Sequence, residues 1–86
     1  MKNAIVTGAG GDIGACITEL AVNLGYRVAA IDVQPDSVNE LADRLDNVIP
    51  VIADITDPKS VRNAFDALGA VPDLLVNNAW LVRFGP

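Results

Sequence analysis

The sequence predicts an α/β fold: a Rossmann-like βαβαβαβ chain forming a four-stranded parallel sheet in the order 3-2-1-4, the first part of a doubly wound arrangement. Three observations predict it. Short, fully apolar runs alternate with stripes of helical period along the 86 residues. The first run passes directly into a glycine-rich turn, Thr7-Gly8-Ala9-Gly10-Gly11-Asp12-Ile13-Gly14. The second and third runs are each followed by an aspartate, Asp32 and Asp54.

The elements follow in order. Ala4-Ile5-Val6 suits a strand buried on both faces. Ile13, Cys16, Ile17, Leu20, Ala21 and Leu24 recur at helical spacing, which predicts a first helix with Cys16 on its buried stripe and Gly25 as its stop. Val28 to Ile31 is a second buried run. Ser37-Val38-Asn39-Glu40 fits a capping box opening a second helix, whose stripe is Val38, Leu41, Ala42 and Leu45. Val48 to Ile52 reads as a third strand, and Pro50 inside it requires a sheet edge, because proline donates no ladder hydrogen bond. Asp57-Pro58 predicts a helix start with Asp57 as cap. Val61, Ala64, Phe65 and Leu68 form the third stripe, closed by Gly69. Asp73 to Asn77 is the fourth strand, and 80–86 read as a loop or tail.

Composition narrows the function. The chain is 51% hydrophobic and 20% charged, which is globular and on the apolar side. Its net charge of −5 offers no basic stripe for nucleic acid. With no histidine and one cysteine, neither an intrachain disulfide nor a multi-cysteine or zinc site is expected. There is no signal-peptide pattern and no apolar stretch long enough to cross a bilayer, so the expected location is cytoplasmic and no membrane partner is expected.

With so few cations, any phosphate must be held by backbone N–H groups. The glycine turn supplies them: its glycines let the chain turn sharply and approach a pyrophosphate, and the helix N-terminus adds free N–H groups and the positive end of its dipole. The expected contact residues are Gly8, Gly10, Gly11, Asp12, Ile13 and Gly14. A plain structural turn is the alternative from these residues alone, and no Gly-Lys-Ser or Gly-Lys-Thr makes the loop a P-loop. Asp12 reads as a cap or as a negative charge at the helix start, since facing the pyrophosphate it would weaken binding. Asp32 lies 18 residues beyond Gly14. There it can accept hydrogen bonds from both ribose hydroxyls and repel a 2′-phosphate. Val33 and Gln34 beside it bring no positive charge, so NAD is favoured over NADP. Asp54 belongs on the same rim, either accepting from the adenine amino group or serving as a turn residue.

These motifs together resemble the short-chain dehydrogenase/reductase family. Thr7 to Gly14 looks like its cofactor turn. Asp54-Ile55-Thr56-Asp57 looks like its adenine-side segment, and Leu75-Val76-Asn77-Asn78-Ala79 like its Asn-Asn-Ala-Gly motif. The likeness spans essentially the whole chain. It adds Ile55, Asn78 and Ala79 to the cofactor-contact residues, with Asn77 and Asn78 mainly tying the sheet together. It implies a parent oxidoreductase moving hydride between NAD and an alcohol or carbonyl.

The sequence also departs from the family. The glycine spacing is that of the family's extended branch, and Asp12 stands where the shorter branch has Gly. Trp80 replaces the Gly of Asn-Asn-Ala-Gly, near the nicotinamide-side ribose. The family's catalytic Ser and Tyr-x-x-x-Lys pair have no counterpart: the single tyrosine, Tyr26, is followed four residues on by Ala30. Residues 1–86 therefore read as one NAD-binding half-domain, expected to be inactive by itself. The alternative is a non-enzymatic Rossmann scaffold or self-assembling module, natural or engineered. A methyltransferase-like fold is a third reading, disfavoured because Val6-Thr7 stands where that fold usually wants an acid. The edge at Leu74-Leu75-Val76 is expected to recruit a second copy or to be covered by Trp80 to Phe84; sedimentation distinguishes the two.

Overall fold

The computed structural model describes residues 1–78. Its elements are β1 (Lys2–Thr7), α1 (Asp12–Asn23), β2 (Tyr26–Asp32), α2 (Pro35–Arg44), β3 (Val48–Ile52), α3 (Pro58–Leu68) and β4 (Leu74–Asn77). The strands form one parallel sheet in the order β3-β2-β1-β4, the order expected of a doubly wound arrangement. β3 lies at an edge, so Pro50 breaks no ladder on its far side.

The central strands β1 and β2 are buried on both faces because each face meets helices. Ala4, Val6, Val28 and Ala30 point to one side and pack with Ala21 of α1 and with Val38 and Leu41 of α2. Ile5, Ala29, Ile31 and Val51 point to the other, against Ala64 and Leu68 of α3. The alternation of side chains along a strand thus builds two cores from one sheet. β4 forms the sheet's other edge among the described residues, with Leu75 57% exposed. No helix among the described residues is long and apolar enough to cross a membrane.

Two local expectations are corrected. In α1 the buried positions are Gly14, Thr18 and Ala21, while Ile13, Leu20 and Leu24 are more than half exposed and Cys16 is exposed. Both sets of residues obey helical spacing. The small set wins because α1 sits so close to the turn that a Cβ on Gly14 would lie 2.0 Å from the Gly8 carbonyl oxygen. Thr18 tolerates full burial because its hydroxyl donates to the Gly14 carbonyl at 2.8 Å.

In α2 the capping box does not form. The helix starts at Pro35, with Gln34 as N-cap and no side-chain cap, so Ser37 falls inside the first turn. Proline presets the first helical φ and has no N–H to leave unpaired, which moves the start upstream of Ser37. The third helix forms as expected: Asp57 caps it by accepting from the Lys59 N–H at 3.0 Å. Gly69 ends it in the left-handed conformation, φ 70°, which glycine adopts without steric cost.

Candidate nucleotide-binding site

Parallel register brings the candidate residues to one rim. Thr7 pairs with Ile31 on one side and Asn77 on the other, and Asp32 pairs with Ile52, so the glycine turn, Asp32 and Asp54 all leave the C-terminal ends of adjacent strands. The Ala9 N–H donates to the Ile31 carbonyl and the Ala53 N–H to the Asp32 carbonyl, both at 3.0 Å, which extends the pairing into the loops.

The turn is shaped by close approaches. Gly8 has φ 65°, in the region that favours glycine. The Gly11 N–H donates back to the Gly8 carbonyl at 3.2 Å, and the Gly10 N–H donates to Asp32 Oδ2 at 2.9 Å. Two of the expected phosphate donors are therefore already engaged, one within the turn and one by Asp32. The first-turn N–H groups of α1, at Asp12, Ile13 and Gly14, are ones that an α-helix leaves without an intrahelical partner, and Gly11 at the N-cap supplies no side-chain cap. Asp12 is the first residue of α1 and exposed, so it acts as a charge at the helix start, not as its cap.

Asp32 is half-buried and held by both oxygens: Oδ2 accepts from Gly10 and Oδ1 from the Gln34 N–H at 3.0 Å. A carboxylate has about four lone-pair positions, so each oxygen keeps capacity for a ribose hydroxyl. Val33 is exposed beside it. The arginine side chains with described contacts lie elsewhere, Arg27 on Asn3 and the Leu68 carbonyl, Arg44 on Glu19.

Asp54 is exposed. Its Oδ1 accepts from the Thr56 N–H at 2.9 Å and the Thr56 hydroxyl at 2.7 Å, the turn geometry weighed from the sequence. The Thr56 backbone N–H first, then its hydroxyl, favour the carboxylate and hold its pKa below the ordinary 3.8. Since the folded value is the lower one, this turn contributes stability above about pH 3.8 and loses it as pH falls through the folded value. Thr56→Val should move the Asp54 midpoint upward, still short of the ordinary value because the backbone donor persists. Carboxyl-carbon NMR titration checks this; an unchanged midpoint would remove the hydroxyl from the account.

The end of β4 closes the rim. The Thr7 hydroxyl donates to Asn77 Oδ1 at 3.1 Å and lies 3.3 Å from the Val76 carbonyl oxygen. Asn78 Nδ2 donates to the Gly8 carbonyl at 3.5 Å, so this segment ties β4 to the glycine turn. Ala79 and Trp80 lie outside the described residues. On the α3 side of the sheet a cavity of about 150 Å³ is lined by Thr7, Ala53, Ile55, Phe65, Leu75 and Asn77, which places Ile55 beneath the rim. Sequence reasoning gave no hint of this cavity or of the nearness of Ser37 to Gly10, where an added Cβ would lie 2.6 Å from Ser37 Cβ. Both arise between elements distant along the chain, so no local pattern signals them.

A parallel doubly wound sheet with a glycine turn after its first strand and a carboxylate after its second defines the Rossmann class of dinucleotide-binding folds. Residues 2–86 match the short chain dehydrogenase family, and the chain belongs to it, a family of oxidoreductases with an NAD(P)-binding Rossmann fold. It is similar to the D-threitol dehydrogenase of Mycolicibacterium smegmatis, 36% identical over 92 residues, covering 99% of this chain and 35% of that protein. Among solved structures it resembles a short chain dehydrogenase/reductase family oxidoreductase from Aeromonas hydrophila, with TM-score 0.83 and 27% identity over 90% of this chain and 39% of that one. It also resembles the 3-ketoacyl-(acyl-carrier-protein) reductase from Brucella melitensis complexed with NADH, with TM-score 0.75 and 26% identity over 86% of this chain and 32% of that one. The chain spans about a third of the length of the curated relatives it matches.

Proposed function

We propose that residues 1–86 bind the adenosine half of NAD, in an oxidoreductase that moves hydride between NAD and an alcohol or carbonyl substrate. The observation that carries this reading is the Asp32 carboxylate, fixed between the Gly10 and Gln34 N–H groups at the mouth of the glycine turn. In this reading Asp32 accepts from the ribose hydroxyls. The N–H groups of Asp12, Ile13 and Gly14 meet the pyrophosphate with the dipole of α1 behind them. Gly8, Gly10 and Gly11 shape that approach. Asp54 accepts from the adenine amino group, with Val33 and Ile55 flanking the base and Asn78 and Ala79 bordering the cofactor. The cofactor supplies the hydride chemistry when bound.

A 2′-phosphate would bring like charge against Asp32 with no Lys or Arg contact described there, which is the reason to favour NAD over NADP. Calorimetric titration of the 86-residue chain should show binding of AMP and NAD, with NADP at least about tenfold weaker, a difference of about 1.4 kcal/mol. The same samples should produce no NADH from alcohols, because the chain contains no Tyr-x-x-x-Lys pair. Equal binding of NAD and NADP would defeat the cofactor preference. A folded chain that binds none of the three would support the scaffold reading instead.

A further inference from the structure

Three segments meet at Gly10. The glycine turn presents its N–H to Asp32 Oδ2 at 2.9 Å, and Asp32 Oδ1 accepts from Gln34 N–H at 3.0 Å, which ties the loop entering α2 to the same carboxylate. Pro35 then starts α2, and its first turn carries the half-buried Ser37 against the glycine turn. A Cβ placed on Gly10 would lie 2.6 Å from Ser37 Cβ, 3.0 Å from Asp32 Oδ2 and 3.1 Å from Asp32 Cγ. Position 10 is therefore closed from two sides. Neighbouring Gly11 is open by comparison, since a Cβ there meets nothing nearer than 3.7 Å.

We propose that Ser37 is a positioning residue of the ribose corner, sealing Gly10 against Asp32 so that position 10 accepts no side chain. The inference rests on the adenosine-binding reading above. Ser37 acts through its Cβ: it backs the Gly10 peptide and keeps its N–H on the Asp32 carboxylate, so the carboxylate is oriented before a nucleotide arrives. Orientation fixed in advance lowers the ordering cost of binding.

The test is a double-mutant cycle on AMP affinity in the 86-residue chain, with melting temperature recorded for every variant. Gly10→Ala should weaken AMP binding about tenfold or more. Adding Ser37→Gly should recover at least about fivefold of that loss, although Ser37→Gly in the wild-type background weakens binding, because Gly is a poor helix residue and the seal is gone. A merely structural role would make Ser37→Gly harmful in both backgrounds. Should Gly10→Ala not fold, Ser37→Gly by itself reads the same corner, because it removes the Cβ that backs Gly10. It should erase the preference for AMP over 2′-deoxy-AMP, whereas a general loss of stability would weaken both alike. The inference is overturned by a double variant no tighter than Gly10→Ala, or by Ser37→Gly retaining the wild-type preference for the 2′-hydroxyl. Wild-type chain that binds neither nucleotide would instead defeat the adenosine-binding reading.

Discussion

Gly14→Ala should unfold this chain or come close to it. The added Cβ would sit 2.0 Å from the Gly8 carbonyl oxygen and 2.8 Å from Ala9 Cα, and both are backbone atoms that no rotamer change can move. Gly14 is buried at the first turn of α1, where the helix rests on the glycine turn. Relief would require sliding α1 off its seat, which would uncover Ala21 and break the core shared with Val6 and Val28. Overpacking of this kind costs about 1–3 kcal/mol and more where backbone must shift. An 86-residue domain has only about 4–13 kcal/mol in total. We expect a loss of about 3 kcal/mol or more, read as a lower urea midpoint, with Gly11→Ala as the control at no more than about 1 kcal/mol. A Gly14→Ala midpoint equal to that of Gly11→Ala would mean that the close contact is not present in solution.

Asp32→Ala should reduce both stability and nucleotide affinity, by separable amounts. Without the carboxylate, the Gly10 and Gln34 N–H groups lose their acceptors. Gln34 is exposed and water replaces its partner, whereas Gly10 is half-buried and its N–H is left poorly satisfied, a cost of about 1–3 kcal/mol. In the proposed site the ribose hydroxyls also lose a charged acceptor. At about 1.5–3 kcal/mol this is roughly 10- to 100-fold in AMP affinity. Asp32→Asn should fall between wild type and Ala, because one amide oxygen can serve only one of the two N–H groups and the NH₂ opposes the other. Discrimination against the 2′-phosphate should shrink in both variants. Calorimetry with AMP and NADP, beside urea unfolding, separates the terms. Wild-type AMP affinity in folded Asp32→Ala would remove Asp32 from the site.

Much of the architecture was legible because strands and helices were signalled by different periods. The apolar runs at Ala4–Val6 and Val28–Ile31 lie in the two central strands, and Pro50 marked an edge strand correctly. The cap at Asp57 and the stop at Gly69 were legible for a local reason, since each depends on the backbone of its own helix end. The reading faltered where two local signals competed. Ser37-Val38-Asn39-Glu40 is a sound capping pattern, yet Pro35 upstream had already satisfied the helix start. Along α1 the larger apolar residues looked like the buried face, but the distance between helix and turn selected the smaller ones.

Period and punctuation in the sequence determined the order of elements, the parallel sheet, and the placing of the glycine turn, Asp32 and Asp54 at strand ends. These follow from local chain geometry and the handedness of crossovers. Only the tertiary structure decided which face of α1 is buried, that the Gly11 N–H turns back to Gly8 while the Gly10 N–H goes to Asp32, and that Ser37 closes over Gly10. The physical reason is that these outcomes depend on close approaches of 2–4 Å, and packing at that scale is set by the whole fold, not by the residue types at each position.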